Sequence, residues 1–484
     1  MTSSCGNSCS KLAIIIIGMS FNFFAESFII GHSTAMVAGL TEEKEELQLS
    51  DDDISLITSI LFLPMSFGAL LATVITEKIG RRLALIIFSS PVTLQWLMIY
   101  FARDMYVFIA ARLIAGFCFG GALPLISMIT AECSSPKMRG FNLTLMAAVL
   151  PAFGTFSGSN LGLALSWRTA ALVAIAPSLI ATLAPIFCVE SPTWLASRGR
   201  FEECEKAFIS LHGYTPSAQK ELKLILEVEQ SKLKKHGKNN NTLVVMWQQL
   251  KLAVIKSYFW DVMSLSITLN IYKMISGKIL FNIFGAPILQ KITGQSDVLS
   301  YSLVVQGVCV TGSPVICFLM TRFKVRSLLF PFGVACNIIV IALSISLYVQ
   351  PNYDAGSALM YANVSLYGLF LLVAQVLLFP ILEALPQELY PLEIKGACTT
   401  LIAFIATGFM FVYLKVVPDM FELLDYPGTF VLNAIVTFLF LVHLWFKLPE
   451  TKDRMLHEIE LYFKNKTFVC VDDVITGEQM KVLV

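Results

Sequence analysis

Stretches of apolar residues long enough to cross a lipid bilayer recur from one end of this 484-residue chain to the other, near 12–39, 54–76, 83–101, 106–131, 141–164, 169–189, 258–290, 299–320, 327–349, 358–385, 397–417 and 429–447. No other feature limits the fold so severely. In hydrocarbon every backbone N–H and C=O must find its partner inside the chain, so a spanning segment is a helix or a strand of a closed barrel. Runs of about 20 residues fit helices, whereas barrel strands need only about 10. Composition agrees: 56% of residues are hydrophobic and 14% charged, against roughly 25% charged in a soluble domain. A water-soluble fold of this composition would expose too much apolar surface. The formal charge of +1 gives no basic field of the kind that nucleic-acid binders carry.

The first run contains Glu26, is too long for a signal peptide and has no small-residue cleavage site after it, so it reads as a membrane helix. Of the eleven cysteines, Cys118, Cys188, Cys309, Cys317, Cys336 and Cys398 lie within apolar runs. Cys5, Cys9, Cys204 and Cys470 lie in segments assigned to the cytoplasm, so no disulfide framework is expected. One polar, lysine-rich stretch, 190–256, divides the runs into six and six. Within it Phe201–Leu211 carries Ala207, Phe208 and Leu211 at helical spacing. Gln219–Lys234 carries Leu222, Leu224, Ile225 and Val228, and Lys234–Asn241 reads as a linker. The organisation expected is a bundle over 1–189, a loop with amphipathic helices over 190–256, a second bundle over 257–447 and a tail over 448–484.

Lysine and arginine concentrate in alternate short loops: Lys78, Arg81 and Arg82; Lys137 and Arg139; Arg322, Lys324 and Arg326; Lys395. The first loop on the other side is acidic, from Glu42 to Asp53. The positive-inside bias places the basic loops, the central stretch and both termini in the cytoplasm.

The two halves repeat one another. Glu132 precedes Arg139-Gly140 by seven residues, and Glu388 precedes Lys395-Gly396 by seven. Lys78-Ile79-Gly80-Arg81-Arg82 returns as Arg322-Phe323-Lys324-Val325-Arg326. Glu190-Ser191-Pro192 after the sixth run returns as Pro449-Glu450-Thr451 after the twelfth. Two six-helix repeats with a site between them at mid-membrane are a transporter plan. Opposite charges at one set of helix ends suit a gate, pairing across the halves when that end is closed. Each such pair is weak, but a network biases two states that differ by a few kcal/mol.

These motifs resemble those of the sugar porters of the major facilitator superfamily, and within them the insect facilitated trehalose transporter-like group, over nearly all of the chain. Glu77–Arg82 is similar to the family's Asp-Arg-x-Gly-Arg-Arg. Arg112, Gly116 and Gly120 match its Arg-x3-Gly-x3-Gly, and Glu132–Gly140 its Glu-x6-Arg-Gly. Glu190–Pro192 with Trp194-Leu195 and Arg198–Arg200, Glu388 with Pro391 and Lys395-Gly396, and Pro449–Lys452 match the remaining cytoplasmic signatures. The resemblance implies the major facilitator fold: an all-α membrane protein of twelve transmembrane helices in two halves. It also implies a plasma-membrane carrier of a sugar, trehalose or hexose, working by alternating access with no cofactor.

The chain departs from the family where a sugar binds. Of the span-7 Gln-Gln-x-Ser-Gly-x-Asn only Ser276-Gly277 remains; Lys273, Met274 and Ile279 replace the amides. The span-5 Gln falls on Ala147, the span-10 Trp on Glu383 beside the retained Pro380, and the span-11 Asn-Trp on Ala406-Thr407. A hydroxyl left without a partner costs about 1–3 kcal/mol. Charge has entered instead. Lys273 and Glu383 either pair across the cavity or meet a charged group of the solute, as intramembrane ions do. Ser33 stands where proton-coupled members carry an aspartate, which points to facilitated diffusion. Glu26, seven residues earlier on the same face, paired with Arg112, and His32 are the residues that keep coupling open. No nucleotide loop, metal-ligand spacing or nucleophile motif is present, so neither an enzyme, a metal nor a nucleic-acid partner is expected. Two other readings are a carrier of a charged or amphiphilic solute and a transport-dead sensor that kept the scaffold.

Overall fold

A computed structural model describes residues 2–43, 47, 49–134, 138, 141–143, 145–214, 219–220, 222–227, 229–230, 251, 254, 257–349, 358–389 and 395–450. These residues form helices and turns, with no strand among them. The first half begins with α1 (Thr2–Glu42). A broken second span follows, α2 (Asp51–Ser59) and α3 (Met65–Ile79), then α4 (Arg81–Phe101) and α5 (Met105–Cys133). A π-helical turn (Leu145–Val149) runs into α6 (Leu150–Leu165), and α7 (Trp167–Leu183) closes the half. Between the halves lie α8 (Pro192–Ser197) and α9 (Phe201–His212).

In the second half α10 (Ser257–Ile275), α11 (Lys278–Ile283) and α12 (Gly285–Thr293) together make the seventh span. Next come α13 (Leu299–Arg322) and α14 (Val325–Val349). The tenth span is α15 (Ala358–Leu371), a π-helical segment (Leu372–Leu378) and α16 (Phe379–Leu389). The final element, α17 (Lys395–Lys447), holds two spans joined at a kink at Asp425, whose φ of 54° and ψ of 174° are non-helical.

Eight helices among the described residues are by themselves long and apolar enough to cross a membrane, and α17 accounts for two spans. The second, fifth and seventh spans complete the expected set, the fifth running from its π-helical turn straight into α6, the second broken between α2 and α3 and the seventh broken at Gly277, whose φ is +101°. Such breaks survive in a membrane where neighbouring helices bury the freed backbone groups.

Small residues set the helix spacing, as expected where the lipid supplies no hydrophobic drive between helices. A Cβ on Gly116 would lie 1.9 Å from the Leu61 carbonyl oxygen, and one on Gly120 1.9 Å from that of Met65. The Arg-x3-Gly-x3-Gly pattern is thus the seat on which α5 rides against the break between α2 and α3. Gly31 likewise meets the Thr155 backbone, joining α1 to α6.

The amphipathic reading of 201–211 is α9. Its Ala207, Phe208 and Leu211 are buried; Ala207 and Phe208 form a small separate core with Trp194, Leu195, Cys204 and Leu222, while Leu211 packs into the core of the first half. Of the Gln219–Lys234 stretch, the described residues are helical, with Leu222 buried and Leu224 exposed. Val228 and the Lys234–Asn241 linker lie outside the described residues.

The halves meet through contacts toward the acidic end of the bundle. Lys415 on α17 donates to the Asp52 carboxylate (2.7 Å) and carbonyl (3.0 Å), and Ser55 donates to the Lys415 carbonyl (2.8 Å). Ser159 on α6 donates to Gln306 on α13 at 2.7 Å, and Thr34 on α1 donates to the Asn282 carbonyl. Deeper in, Phe67 and Phe404 pack edge to face at 4.9 Å.

Candidate functional site

The seventh and tenth spans face each other through a ladder of polar and aromatic contacts. On α10 and α11 the ladder runs Lys273, Lys278, Asn282. On the tenth span it runs Gln375, Phe379, Glu383, at intervals of four that keep one helix face. Lys273 Nζ donates to Glu383 Oε2 at 3.1 Å. Lys278 Nζ sits 3.5 Å from the centre of the Phe379 ring, and Asn282 Nδ2 donates to Gln375 Oε1 at 3.1 Å. The Lys273 side chain is 11% exposed and that of Glu383 44%, so the pair is held from the lysine side and opens at the carboxylate.

Local backbone chemistry aims these groups. Gly277 holds a left-handed φ of +101° that a side chain disfavours, and a Cβ there would also lie 2.4 Å from the Phe370 ring. That turn ends α10 just after Lys273 and starts α11 on Lys278. Ser276 is buried and donates to the Lys273 carbonyl at 2.8 Å, tying off a carbonyl at the break. Pro380 is buried next to Phe379 near the start of α16, and Gln375 lies in the π-helical segment. Segments of that kind are frequent at functional sites. The side chain of Ala147 lies outside the described residues.

The sequence singles out Ser33, Lys273, Ser276, Gly277, Pro380 and Glu383 for the cavity; Ser33 lies off these two spans, on α1. Sequence reading missed Lys278, Phe379, Asn282 and Gln375 on the same two faces, and Gln306 with Ser159 across the halves. The signal was present: amides and a second lysine inside apolar runs, spaced by four.

The residues considered for coupling do not come together. Ser33 is buried and donates to the Ile29 carbonyl within its own helix (2.9 Å). Glu26 and Arg112 are both buried but form no ion pair; Arg112 Nη2 rests on Met36 Sδ at 2.9 Å. The helical rise explains the separation, since Glu26 stands about 15 Å along α1 from Met36. Glu26 Oε2 and Arg112 Nε and Nη1 are left without partners. His32 turns into the first half, its Nε2 bonded to the Trp167 carbonyl (2.7 Å) and its ring edge-on to Trp96 at 5.0 Å.

At the basic end the charged motifs cap helices. Glu190 Oε1 accepts from the backbone N–H of Arg81 (3.0 Å), Arg82 (3.2 Å) and Ser191 (3.0 Å). A carboxylate at a helix N-terminus satisfies orphan donors and meets the positive end of the dipole. The Arg81 guanidinium lies 3.4 Å from Glu132, which also accepts from Ser191 Oγ, while Arg82 donates to the Cys188 carbonyl at 3.2 Å. Gly80 has φ +99°, and a Cβ there would lie 2.4 Å from Glu190 Oε2.

The second half repeats the cap. Glu450 Oε2 accepts from the Arg326 N–H at 3.4 Å, at the start of α14. Lys324 replaces the glycine, and this cap is longer than its counterpart. Arg326 also donates to the Trp445 carbonyl at 2.9 Å, and Arg322 lies over the Phe318 ring at 5.4 Å. These pairs therefore lie within each half, where pairing across the halves was expected. Arg139 lies outside the described residues, as do the side chains of Glu388 and Lys395.

Residues 12–463 match the family model described as "Sugar (and other) transporter". Among curated proteins, the chain is 26% identical to the sugar transporter ERD6-like 6 of Arabidopsis thaliana, covering 95% of this chain and 91% of that one. It is 24% identical to the facilitated trehalose transporter Tret1 of Bombyx mori, covering 86% and 80%. Among solved structures, the xylose transporter XylE from E. coli in its inward-open conformation superposes with a TM-score of 0.72 at 17% identity, over 92% of this chain and 99% of that one. A second, the proton:xylose symporter XylE bound to 6-bromo-6-deoxy-D-glucose, gives 0.71 at 18% identity, over 94% and 100%. The fold is that of the major facilitator superfamily, and on the match over 12–463 the chain belongs to the sugar (and other) transporter family.

Proposed function

We propose that the protein carries a sugar, trehalose or a hexose, by facilitated diffusion across the cell membrane. Its basic end and both termini face the cytoplasm, and the two halves rock to open the space beside the seventh and tenth spans to each side in turn. The observation that carries this reading is the ladder between those spans, which sits next to the contact between the halves through Thr34 and Asn282. A polar face held at the seam is what a rocking carrier offers its solute. The names of the curated relatives support a sugar, and that of the silkworm relative supports trehalose.

Ser33, bonded within its own helix, supports uniport, because a titrating carboxylate is missing from the position that the resemblance marks for coupling. In this reading the caps at the basic end hold each half rigid while the acidic-end contacts part.

The test is radiolabelled uptake into proteoliposomes with trehalose and glucose, with and without an imposed pH gradient. Saturable uptake indifferent to the gradient is expected. Uptake driven by the gradient would replace uniport by symport. Failure of both sugars, with folded protein in the vesicles, would remove the sugar reading and favour a sensor.

A further inference from the structure

Two cations and one anion share the ladder. Lys273 is matched by Glu383 at 3.1 Å. Among the described residues Lys278 has no carboxylate within ion-pair distance; Glu383 acts on it from further off, and its ammonium sits on the π face of Phe379 at 3.5 Å. The site thus carries one uncompensated positive charge in mid-span, where ions are rare, face protein or a water-filled cavity, and serve the solute or the pathway. Four residues on, Asn282 is 1% exposed. Its Nδ2 is used twice, to the Lys278 carbonyl (2.6 Å) and to Gln375 (3.1 Å), while its Oδ1 has no partner. An ammonium and an unpartnered acceptor therefore belong to residues four apart on one helix, their Cα atoms separated by about 6 Å of helical rise.

We infer that this pair of groups selects a hydroxylated monocarboxylate, a sugar acid, whose carboxylate meets Lys278 and whose distal hydroxyl donates to Asn282 Oδ1. A neutral sugar answers the acceptor but leaves the ammonium on Phe379. The second charge also explains why the family's amides are dispensable here: an ammonium–carboxylate contact replaces hydroxyl–amide bonds. The inference rests on the carrier reading above and narrows its solute.

The test offers proteoliposomes of the full chain radiolabelled glucuronate, its neutral methyl ester and glucose. Glucuronate should be taken up, and should compete with glucose about tenfold better than the ester does. Lys278→Gln should erase that preference, and Lys278→Arg should keep it, with both variants confirmed monodisperse before reconstitution. Equal competition by acid and ester, with glucose still transported, overturns the inference and leaves the sugar carrier standing. A preference for the acid that survives Lys278→Gln also overturns it, by removing Lys278 from the site. Failure of all three solutes from folded protein overturns the inference and the sugar reading together.

Discussion

Lys273 and Glu383 show most directly how a departure from a family pattern is read. Two ionisable residues replacing an amide and an aromatic implied a pair, and the structure places them 3.1 Å apart. What the sequence could not convey is that a third charge shares the same face. Lys278 falls at a variable position of the span-7 pattern, and only the turn at Gly277 brings it opposite Phe379. Glu26 and Arg112 erred the other way: they share the right helices but not the same depth.

The pair makes a double-mutant prediction. Lys273→Met leaves Glu383 with Lys278 nearby and should cost about 1 kcal/mol. Glu383→Gln leaves two ammonium groups together and should cost about 2–3 kcal/mol. The double change should cost less than the sum, measured as thermal unfolding in detergent alongside sugar uptake. Additive losses would remove the pairing.

At the scale of the element, the caps explain why charged motifs recur at helix ends. The carboxylate after the sixth span of each half closes the N-terminus of the third, Glu190 on α4 and Glu450 on α14. This was legible as a duplication of letters but not as a helix cap, because the partners lie more than a hundred residues apart in sequence. Glu190→Ala should cost about 1–2 kcal/mol from the lost cap. Gly80→Ala should cost about 1–3 kcal/mol, since its Cβ meets Glu190 in a left-handed conformation. Both are read from unfolding in detergent, and a Gly80→Ala protein as stable as the parent would contradict the assignment.

Ser50 and Asp53 form a second cap, at the start of α2, with Asp53 accepting from the Ser50 N–H at 2.9 Å. Those hydrogen bonds from Ser50 hold the Asp53 carboxyl below its ordinary value. A depressed carboxylate stabilises above its unfolded pKa, so this contribution is present at neutral pH. It fades as pH falls through and below about 4. Asp53→Asn should lower stability near neutrality, where the contribution is present, and flatten the stability profile in that acid range, where the parent has already lost it.

For the whole molecule, hydropathy and loop charge carried the architecture, because the bilayer leaves helices as the natural use of twelve long apolar runs. The breaks in the second and seventh spans were less visible. Pro64 and Gly277 mark them, but hydropathy averages over such turns. How the halves join was not legible at all. Ser159 with Gln306 and Asp52 with Lys415 are single contacts between helices far apart in the chain, and no periodicity reports them. They make the central mechanical claim concrete: the acidic end must open for solute to pass.

That claim is tested most directly by locking it. With Asp52→Cys and Lys415→Cys in the full chain, a short bis-methanethiosulfonate cross-linker joins α2 to α17 through two disulfides, and sugar uptake is followed before and after reduction. The account predicts that cross-linking lowers uptake more than about tenfold, that reductant restores it, and that the parent chain treated alike is unaffected. Uptake that continues at full rate through the cross-linked protein would contradict a path that opens between the halves.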